Sequence, residues 1–164
     1  MELVWQSPVN PSDTEVAQFS CTTLPWIARH AGVVNLADFS QGRAATAEHG
    51  PATPAVTGSG QASPGEWPLH VYNFGNNPLN GGIFQSYLDE PGVVILHDLC
   101  LIDLARYISQ AGDDADWWRD EIYRQYGEPG RELTRNCDTS PASYAELVSK
   151  YPLFLPFVEK ALAV

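Results

Sequence analysis

A chain of 164 residues with a net charge of −11 at neutral pH has the length of one compact domain that can bury its own core. Its 44% share of hydrophobic residues argues against a disordered chain. The nine Lys and Arg residues against 20 Asp and Glu residues leave no basic face for a nucleic-acid backbone. The same charge opposes docking on an anionic membrane. Composition therefore excludes nucleic acid as a partner.

Cysteine usage and hydropathy indicate a reducing, aqueous location. Cys21, Cys100 and Cys137 are far apart and form no CxxC pair, which is typical of reduced thiols in a cytoplasmic protein. No apolar run approaches the roughly 20 residues that a membrane-spanning helix needs. The amino end shows no basic and apolar leader. We expect a cytoplasmic chain without a transmembrane segment.

The first 37 residues predict a strand, a helix and a second strand. Residues 2–6 form a short apolar strand that two prolines stop, and Ser12 or Asp13 is the expected N-cap of the helix that follows. Pro25 interrupts this helix, and residues 33–37 form the second strand. A βαβ unit of this kind requires parallel pairing of its two strands.

A change in composition separates this unit from the next. Residues 40–67 are rich in Gly, Pro, Ala, Ser and Thr without periodicity, which predicts a surface loop. A strand over 69–74 and a helix over 82–88 follow. The unbroken aliphatic run at 93–97 predicts a central parallel strand covered on both faces, and a mostly apolar helix follows over 99–108.

The remainder of the chain predicts helices. We expect a helix over 113–126, a short polar segment over 130–136, a helix that starts at Ser140 and Pro141, and a last helix over 151–164. The predicted fold class is therefore α/β, with a Rossmann-like parallel sheet flanked by helices and a helical C-terminal part. Residues 1–164 form one domain in this interpretation.

Ligands of parallel α/β sheets bind where the strands end at their carboxyl edge. The segments at this edge are residues 7–14, 73–80 and 97–98, and Ser7 and Thr14 are the hydroxyl-bearing candidates in the first of them. His97 ends the most apolar strand, where an imidazole can accept or donate a hydrogen bond or stabilise developing negative charge. Asp98 beside it is either functional or an N-cap of the next helix.

The second segment is rich in amides. Asn73, Asn76, Asn77 and Asn80 offer paired donors and acceptors that suit sugar hydroxyls, but the same residues also suit turns. Gly75 would let the backbone approach a ligand closely or simply let the chain turn. Both interpretations fit the residues equally well.

Several other kinds of site do not fit the spacing. The four histidines are scattered without HxH or HExxH, no Asp-x-Asp occurs, and GxSxG and GxxxxGK[ST] are missing, so we expect no metal and no phosphate loop. The acidic cluster at 113–121 fits a solvated helix start better than a cation site. Trp117 and Trp118 are either packing residues or a partner contact.

Two stretches carry a resemblance to a known family. FGNNPLNGGIF at 74–84 followed by PGVVILHD at 91–98 resembles the N-terminal domain of bacterial glycosyltransferases of the GT-B architecture, in the retaining, family-four-like group. SPVNP at 7–11 with the helix to residue 30 is similar to the family's first strand and helix. Residues 151–164 resemble the helix before its next strand. The resemblance covers most of the chain outside the loop at 40–67.

The resemblance implies half of a two-domain enzyme. In such enzymes an N-terminal domain binds the acceptor, a glycan or a small molecule, and a C-terminal domain binds the nucleotide-sugar donor. No metal or other cofactor is implied, and the donor-binding domain would be supplied in the same polypeptide or by a separate chain. His97, with Asp98, would lie near the transferred sugar, and Gly75 and Asn76 would line the acceptor side.

Two positions depart from the family pattern, and they keep a second hypothesis open. Asn80 replaces a family histidine, and Asp13-Thr14-Glu15-Val16 replaces a small Ser-Gly loop near the donor phosphates, where a carboxylate would repel a diphosphate. The first hypothesis is the acceptor domain of a sugar transferase. The second is a non-catalytic, degenerate transferase domain that binds a glycan or a protein. A nucleotide-binding, flavodoxin-like module is a more distant alternative.

Overall fold

The computed structural model describes residues 2–8, 10–31, 33–38 and 67–164. It contains a four-stranded, fully parallel sheet in the order β2-β1-β3-β4. The strands are β1 (Glu2–Ser7), β2 (Val33–Asp38), β3 (Leu69–Phe74) and β4 (Val93–Leu96). The helices are α1 (Glu15–Ile27), α2 (Gly81–Asp89), α3 (Ile102–Ala111), α4 (Trp117–Asn136) and α5 (Pro141–Lys150). The predicted α/β, Rossmann-like class is confirmed, whereas the loop predicted at 40–67 lies outside the described residues except for Trp67.

The sheet is covered on both faces by apolar side chains that alternate along its strands. On one face, α1 packs through Leu24 against a cluster that contains Trp5 and Val71. On the other face, a larger cluster includes Tyr72 and Phe74 of β3. Because consecutive side chains of a strand point to opposite faces, Val71 and Tyr72 serve the two different layers.

The second layer is built on aromatic packing. Phe74 meets Tyr87 of α2 edge-to-face at 5.8 Å and Phe157 near the C-terminus at 5.4 Å between ring centroids. Such pairs stabilise a core by about 0.5–1.5 kcal/mol each beyond the burial of their area. Trp117 joins the same cluster against Phe84, and Trp118 is buried with only 3% of its surface exposed. Trp118 is therefore part of the core, and the partly buried Trp117 packs against it.

The N-cap of α1 differs from the predicted one. Thr14, with an extended backbone, accepts a hydrogen bond at its Oγ1 from the Ala17 N–H at 2.9 Å. Ser12 and Asp13 lie just before it and bond instead to the side chain of Asn10. The prediction of Ser12 or Asp13 was wrong because this Asn10-centred turn occupies their side chains.

Helix α3 begins later than the sequence suggests. Residues 99–101 form a non-helical connection in which the Leu101 N–H donates to the Leu153 carbonyl at 2.9 Å, and Leu99 is 70% exposed. The helix itself runs from Ile102 to Ala111. The three residues before it resemble the helix in composition, but their backbone is bonded to the C-terminal segment.

The C-terminal segment is not the predicted helix, and β4 is not a central strand. Within residues 151–164 only Leu155–Phe157 forms a single 3-10 turn, because Pro152 and Pro156 lack the N–H groups that a helix would use. The chain then runs beside β4, where Ala163 pairs in parallel with Val93. β4 is thus one of the two edge strands of the described sheet, and its apolar run is partly covered by this returning segment.

Helix α4 is longer than predicted and is kinked. The polar residues after 130 are helical, and the kink lies at Gly127, whose φ of 67° is left-handed. Helix α5 starts as expected, with the Ser140 hydroxyl accepting from the Ser143 N–H and Pro141 in its first turn. None of the helices in the described ranges combines the length and apolar character that crossing a bilayer requires.

Candidate functional site

A cleft of about 260 Å³ opens at the carboxyl edge of the sheet. Its walls are residues 14–16 after β1, residues 75–77 after β3, and residues 97–98 after β4. The connection from β1 leads to β2 on one side of the sheet, and the connection from β3 leads to β4 on the other side. The topological switch point therefore lies between β1 and β3, where the cleft opens. Ligands of open α/β sheets bind in this position.

Close packing between α1 and the loop after β3 sets the floor of the cleft. A Cβ atom added to Gly75 would lie 2.6 Å from Cγ2 of Val16 and 3.4 Å from Oδ2 of Asp98. Real Cβ atoms do not approach a neighbour at the first of these distances, so position 75 requires glycine. This close contact between α1 and the loop after β3 is a reason for glycine that the sequence prediction, close approach to a ligand or a simple turn, did not include.

Asn76 joins the loop after β3 to helix α3. Its Oδ1 accepts hydrogen bonds from the backbone N–H groups of Asp103 at 2.8 Å and Leu104 at 3.1 Å. Its Nδ2 donates to Oδ2 of Asp103 at 3.0 Å. Leu101, at the N-cap position of α3, makes no capping bond with its side chain. Asn76 therefore caps α3 from another part of the chain, and its side chain is occupied within the protein.

Asp98 fixes the backbone of the same loop. Its Oδ2 accepts from the Asn76 N–H at 2.7 Å, so the carboxylate is bonded to the loop after β3 instead of to the start of α3. The proposed alternative role of Asp98 as the N-cap of the next helix is wrong, since Asn76 performs that function. Asp98 is exposed at the cleft wall.

His97 continues β4 into the cleft. Its backbone N–H donates to the Phe74 carbonyl at 2.8 Å, and its ring lies edge-on against Phe19 of α1 with centroids 4.8 Å apart. Burial lowers the pKa of His97 below its usual value near 6.5, and the charge of the neighbouring Asp98 opposes this only in part. The imidazole is therefore neutral at pH 7.

The tautomer of His97 follows from its hydrogen bonds. Asn73, fully buried, donates through Nδ2 to the Gln6 carbonyl at 3.2 Å, which leaves its Oδ1 to face Nε2 of His97 at 3.2 Å. An amide oxygen can only accept, so Nε2 carries the proton and Nδ1 of the neutral ring is an unprotonated acceptor. Nδ1 has no hydrogen-bond partner among the residues that the structure describes.

The remaining predicted site residues support the cleft from below or beside it. Asn77 accepts at Oδ1 from the Leu79 N–H, and the fully buried Asn80 donates to the carbonyl groups of Gly75 and Asn77. Oδ1 of Asn80 is buried without a partner in this part of the structure. Ser7, also fully buried, donates to the Pro8 carbonyl and shares a 2.6 Å bond with the Ser20 hydroxyl.

The structure thus divides the predicted residues into two groups. Those that line the cleft are Thr14, Gly75, Asn76, Asn77, His97 and Asp98. Ser7, Asn73 and Asn80 do not line it and instead hold its walls. The sequence prediction did not include Glu15 and Val16 as site residues, although their position in the first turn after β1 was a sufficient signal.

The charge of the cleft is negative. Glu15 and Asp98 contribute carboxylates, and none of the residues that line the cleft is Lys or Arg. Across the described ranges, no three His, Cys, Asp or Glu side chains converge as metal ligands would. The acidic residues at 113–121 include Asp116 and Glu121, which pair with Arg119 and Arg124.

Comparison with known proteins adds no relative to the observations from the structure. No protein-family model, no curated protein and no solved structure matches it. The fold and the cleft define an α/β protein of the Rossmann-like class with a candidate ligand site at its switch point.

Proposed function

We propose that this chain is the acceptor-binding half of a GT-B-type glycosyltransferase, with the cleft at residues 14–16, 75–77 and 97–98 as its acceptor site. The observation that carries the proposal is His97, a neutral imidazole on the cleft wall whose Nδ1 is an unprotonated acceptor. Such a nitrogen can take a hydrogen bond from the sugar hydroxyl of an acceptor or receive its proton. The resemblance of residues 74–84 and 91–98 to these enzymes supports the assignment.

The proposed roles follow from which atoms remain available. His97 contacts the acceptor hydroxyl through Nδ1, and Asn73 holds the ring by its bond to Nε2. Nδ2 of Asn77 and the hydroxyl hydrogen of Thr14 are the donors that the cleft offers to a sugar. Asn76 and Asn80 act as positioning residues, because their amides are bonded to the protein.

Sugar binding by the 164-residue chain is the direct test. We expect a panel of mono- and disaccharides to shift the backbone amide resonances of residues 75–77 in NMR titrations, without any nucleotide-sugar. His97→Ala should weaken this binding at least fivefold. His30→Ala is the matched control, because His30 is exposed and lies outside the cleft. Absence of shifts in residues 75–77 for every sugar would refute the proposal.

The size of the native protein in its source cells tests the proposal that this chain is one half of a two-domain enzyme. A second Rossmann-like domain adds on the order of 150 residues. We expect an immunoblot to detect a species of about twice this length, or a separate donor-binding chain that copurifies. Transfer activity of that species should fall by at least about tenfold in His97→Ala, as for loss of a general base.

A non-catalytic binding module is the second candidate, and Glu15 favours it. This carboxylate occupies the first turn of α1 at the cleft, where the enzymes that the chain resembles approach the donor phosphates. A diphosphate would be repelled there. Sugar binding by the chain, with no transfer activity in the native species, would favour this candidate over the first.

A further inference from the structure

The hydrogen-bonding groups that remain available in the cleft are mostly acceptors. Glu15 and Asp98 are carboxylates, which only accept when ionised, and Nδ1 of His97 is an unprotonated acceptor. Oδ2 of Asp98 takes one bond from the Asn76 N–H, which leaves Oδ1 for a ligand. A ligand that complements this set must be rich in donors.

The start of α1 already has its own anion. The N-terminus of a helix attracts negative charge, and phosphates bind there in many α/β proteins. Here Glu15 supplies a carboxylate within the first turn, and Thr14 takes the Ala17 N–H. A phosphate would therefore meet a charge of its own sign, and one of the N–H groups that could bind it, that of Ala17, is already bonded to Thr14.

The size of the cleft suits a small ligand. Its volume of about 260 Å³ is slightly below the range in which pockets for drug-sized ligands begin, and it is far larger than a single ion needs. One sugar ring or a polyol of similar size fits this volume. The net charge of −11 adds a long-range attraction for cationic ligands.

We propose that the cleft selects a sugar or polyol that carries a protonated amine, with Glu15 and Asp98 recognising the ammonium group and His97 accepting from a hydroxyl. The sugar part of this inference rests on the function proposed above. The charge part rests on the position of the two carboxylates in a cleft that no Lys or Arg lines, and on the net charge of the chain.

Three hexoses that differ mainly in charge provide the test. Glucose is neutral, glucose 6-phosphate is anionic, and 6-amino-6-deoxyglucose is cationic at pH 7, since a primary aliphatic amine titrates near the Lys value of about 10.4. Their dissociation constants would be measured from the amide shifts of residues 75–77. Because both carboxylates are solvent-exposed, we expect the amine to bind about tenfold more tightly than glucose at low salt, and less so at 1 M salt. Glucose 6-phosphate should bind more weakly than glucose.

Charge removal then assigns the preference to its residues. Glu15→Gln with Asp98→Asn should bring the ratio between amine and glucose close to one, and the amide introduced at position 98 would keep an oxygen for the Asn76 N–H. Glu15→Gln alone should lower the ratio partway, which keeps the test valid if the double variant does not fold. Asp120→Asn with Glu132→Gln is the matched control, because these exposed acids of α4 give the same change in net charge.

The outcomes separate the two proposals. Equal affinity for glucose and its amine, or tighter binding of the phosphate, would overturn the amine preference and leave the sugar site standing. Binding of methylammonium at the cleft without binding of any hexose would overturn the sugar site and support the charge part. No shift with any probe would overturn both.

Discussion

Replacement of Asn76 by Ala tests whether the loop after β3 and helix α3 are held together by one side chain. The substitution removes the acceptor of the Asp103 and Leu104 N–H groups and the donor to the Asp103 carboxylate. Loss of an N-cap costs about 0.5–2 kcal/mol of stability. A hydrogen bond to a charged group contributes about 1.5–3 kcal/mol, and partial solvent exposure reduces this here. We expect the free energy of unfolding to fall by about 2 kcal/mol, from the sum of these two effects.

Two measurements and two further variants make this prediction specific. Urea denaturation followed by circular dichroism gives the global change, and amide hydrogen exchange should accelerate at Asp103 and Leu104 in particular. Asn76→Asp keeps the capping oxygen but loses the donor to Asp103 and places a second carboxylate against it, so a loss of about 2 kcal/mol is expected, and salt should reduce it. Asn136→Ala, at an exposed helix end, is the matched control and should change stability little.

The result that would refute the reasoning is a loss below about 0.5 kcal/mol in Asn76→Ala, the lower limit for a lost cap, with unchanged exchange at Asp103 and Leu104. In that case α3 would not depend on Asn76 for its first turn.

Three further perturbations have outcomes that the structure determines. The pKa of His97 in the folded state lies below its value in the unfolded state. The stability linked to this residue is therefore complete above about pH 6.5 and declines as the pH falls through the folded pKa. Between pH 7.5 and pH 5 the unfolding free energy of the wild type should fall more than that of His97→Gln. Gly92→Ala should destabilise by several kcal/mol, because the new Cβ would lie 2.3 Å from the His70 carbonyl oxygen in a paired strand, and a Tm within a few degrees of wild type would contradict this. Gly81→Ala should lower the free energy of unfolding by under about 1 kcal/mol, because the new Cβ contacts mainly the ring of the partly exposed Tyr107, which can move, and because Ala favours the helix. Denaturant midpoints of the Gly92 and Gly81 variants, measured in parallel, test whether the first is destabilised more than the second.

The sequence was informative where local rules decide the structure. The apolar run of β3 and the Ser140-Pro141 start of α5 lie where expected, since strand pattern and capping act within a few residues. The cleft was also predictable in outline, because parallel strands deliver their following loops to one edge. Six of the predicted site residues line it for this reason.

The errors arise where distant parts of the chain meet. Residues 99–101 are not helical, and the Leu101 N–H bonds to the Leu153 carbonyl. Residues 151–164 are mostly irregular because they return to β4. The role of Asn76 as a cap depends on α3 lying beside the loop after β3, more than 25 residues later in the chain. Neither composition nor periodicity contains these pairings.

The return of the C-terminal segment to β4 has a consequence for the unfolding of the molecule. The Leu162 N–H donates to the Gly92 carbonyl and the Val94 N–H donates to the Ala163 carbonyl, so the polypeptide that leaves β4 at residue 97 rejoins the same strand after its three helices. Both ends of this segment are therefore attached to β4, one through the chain and the other through backbone hydrogen bonds. Helices α3, α4 and α5 therefore cannot separate from the sheet while these hydrogen bonds are intact. The helical part and the sheet are expected to unfold in a single transition.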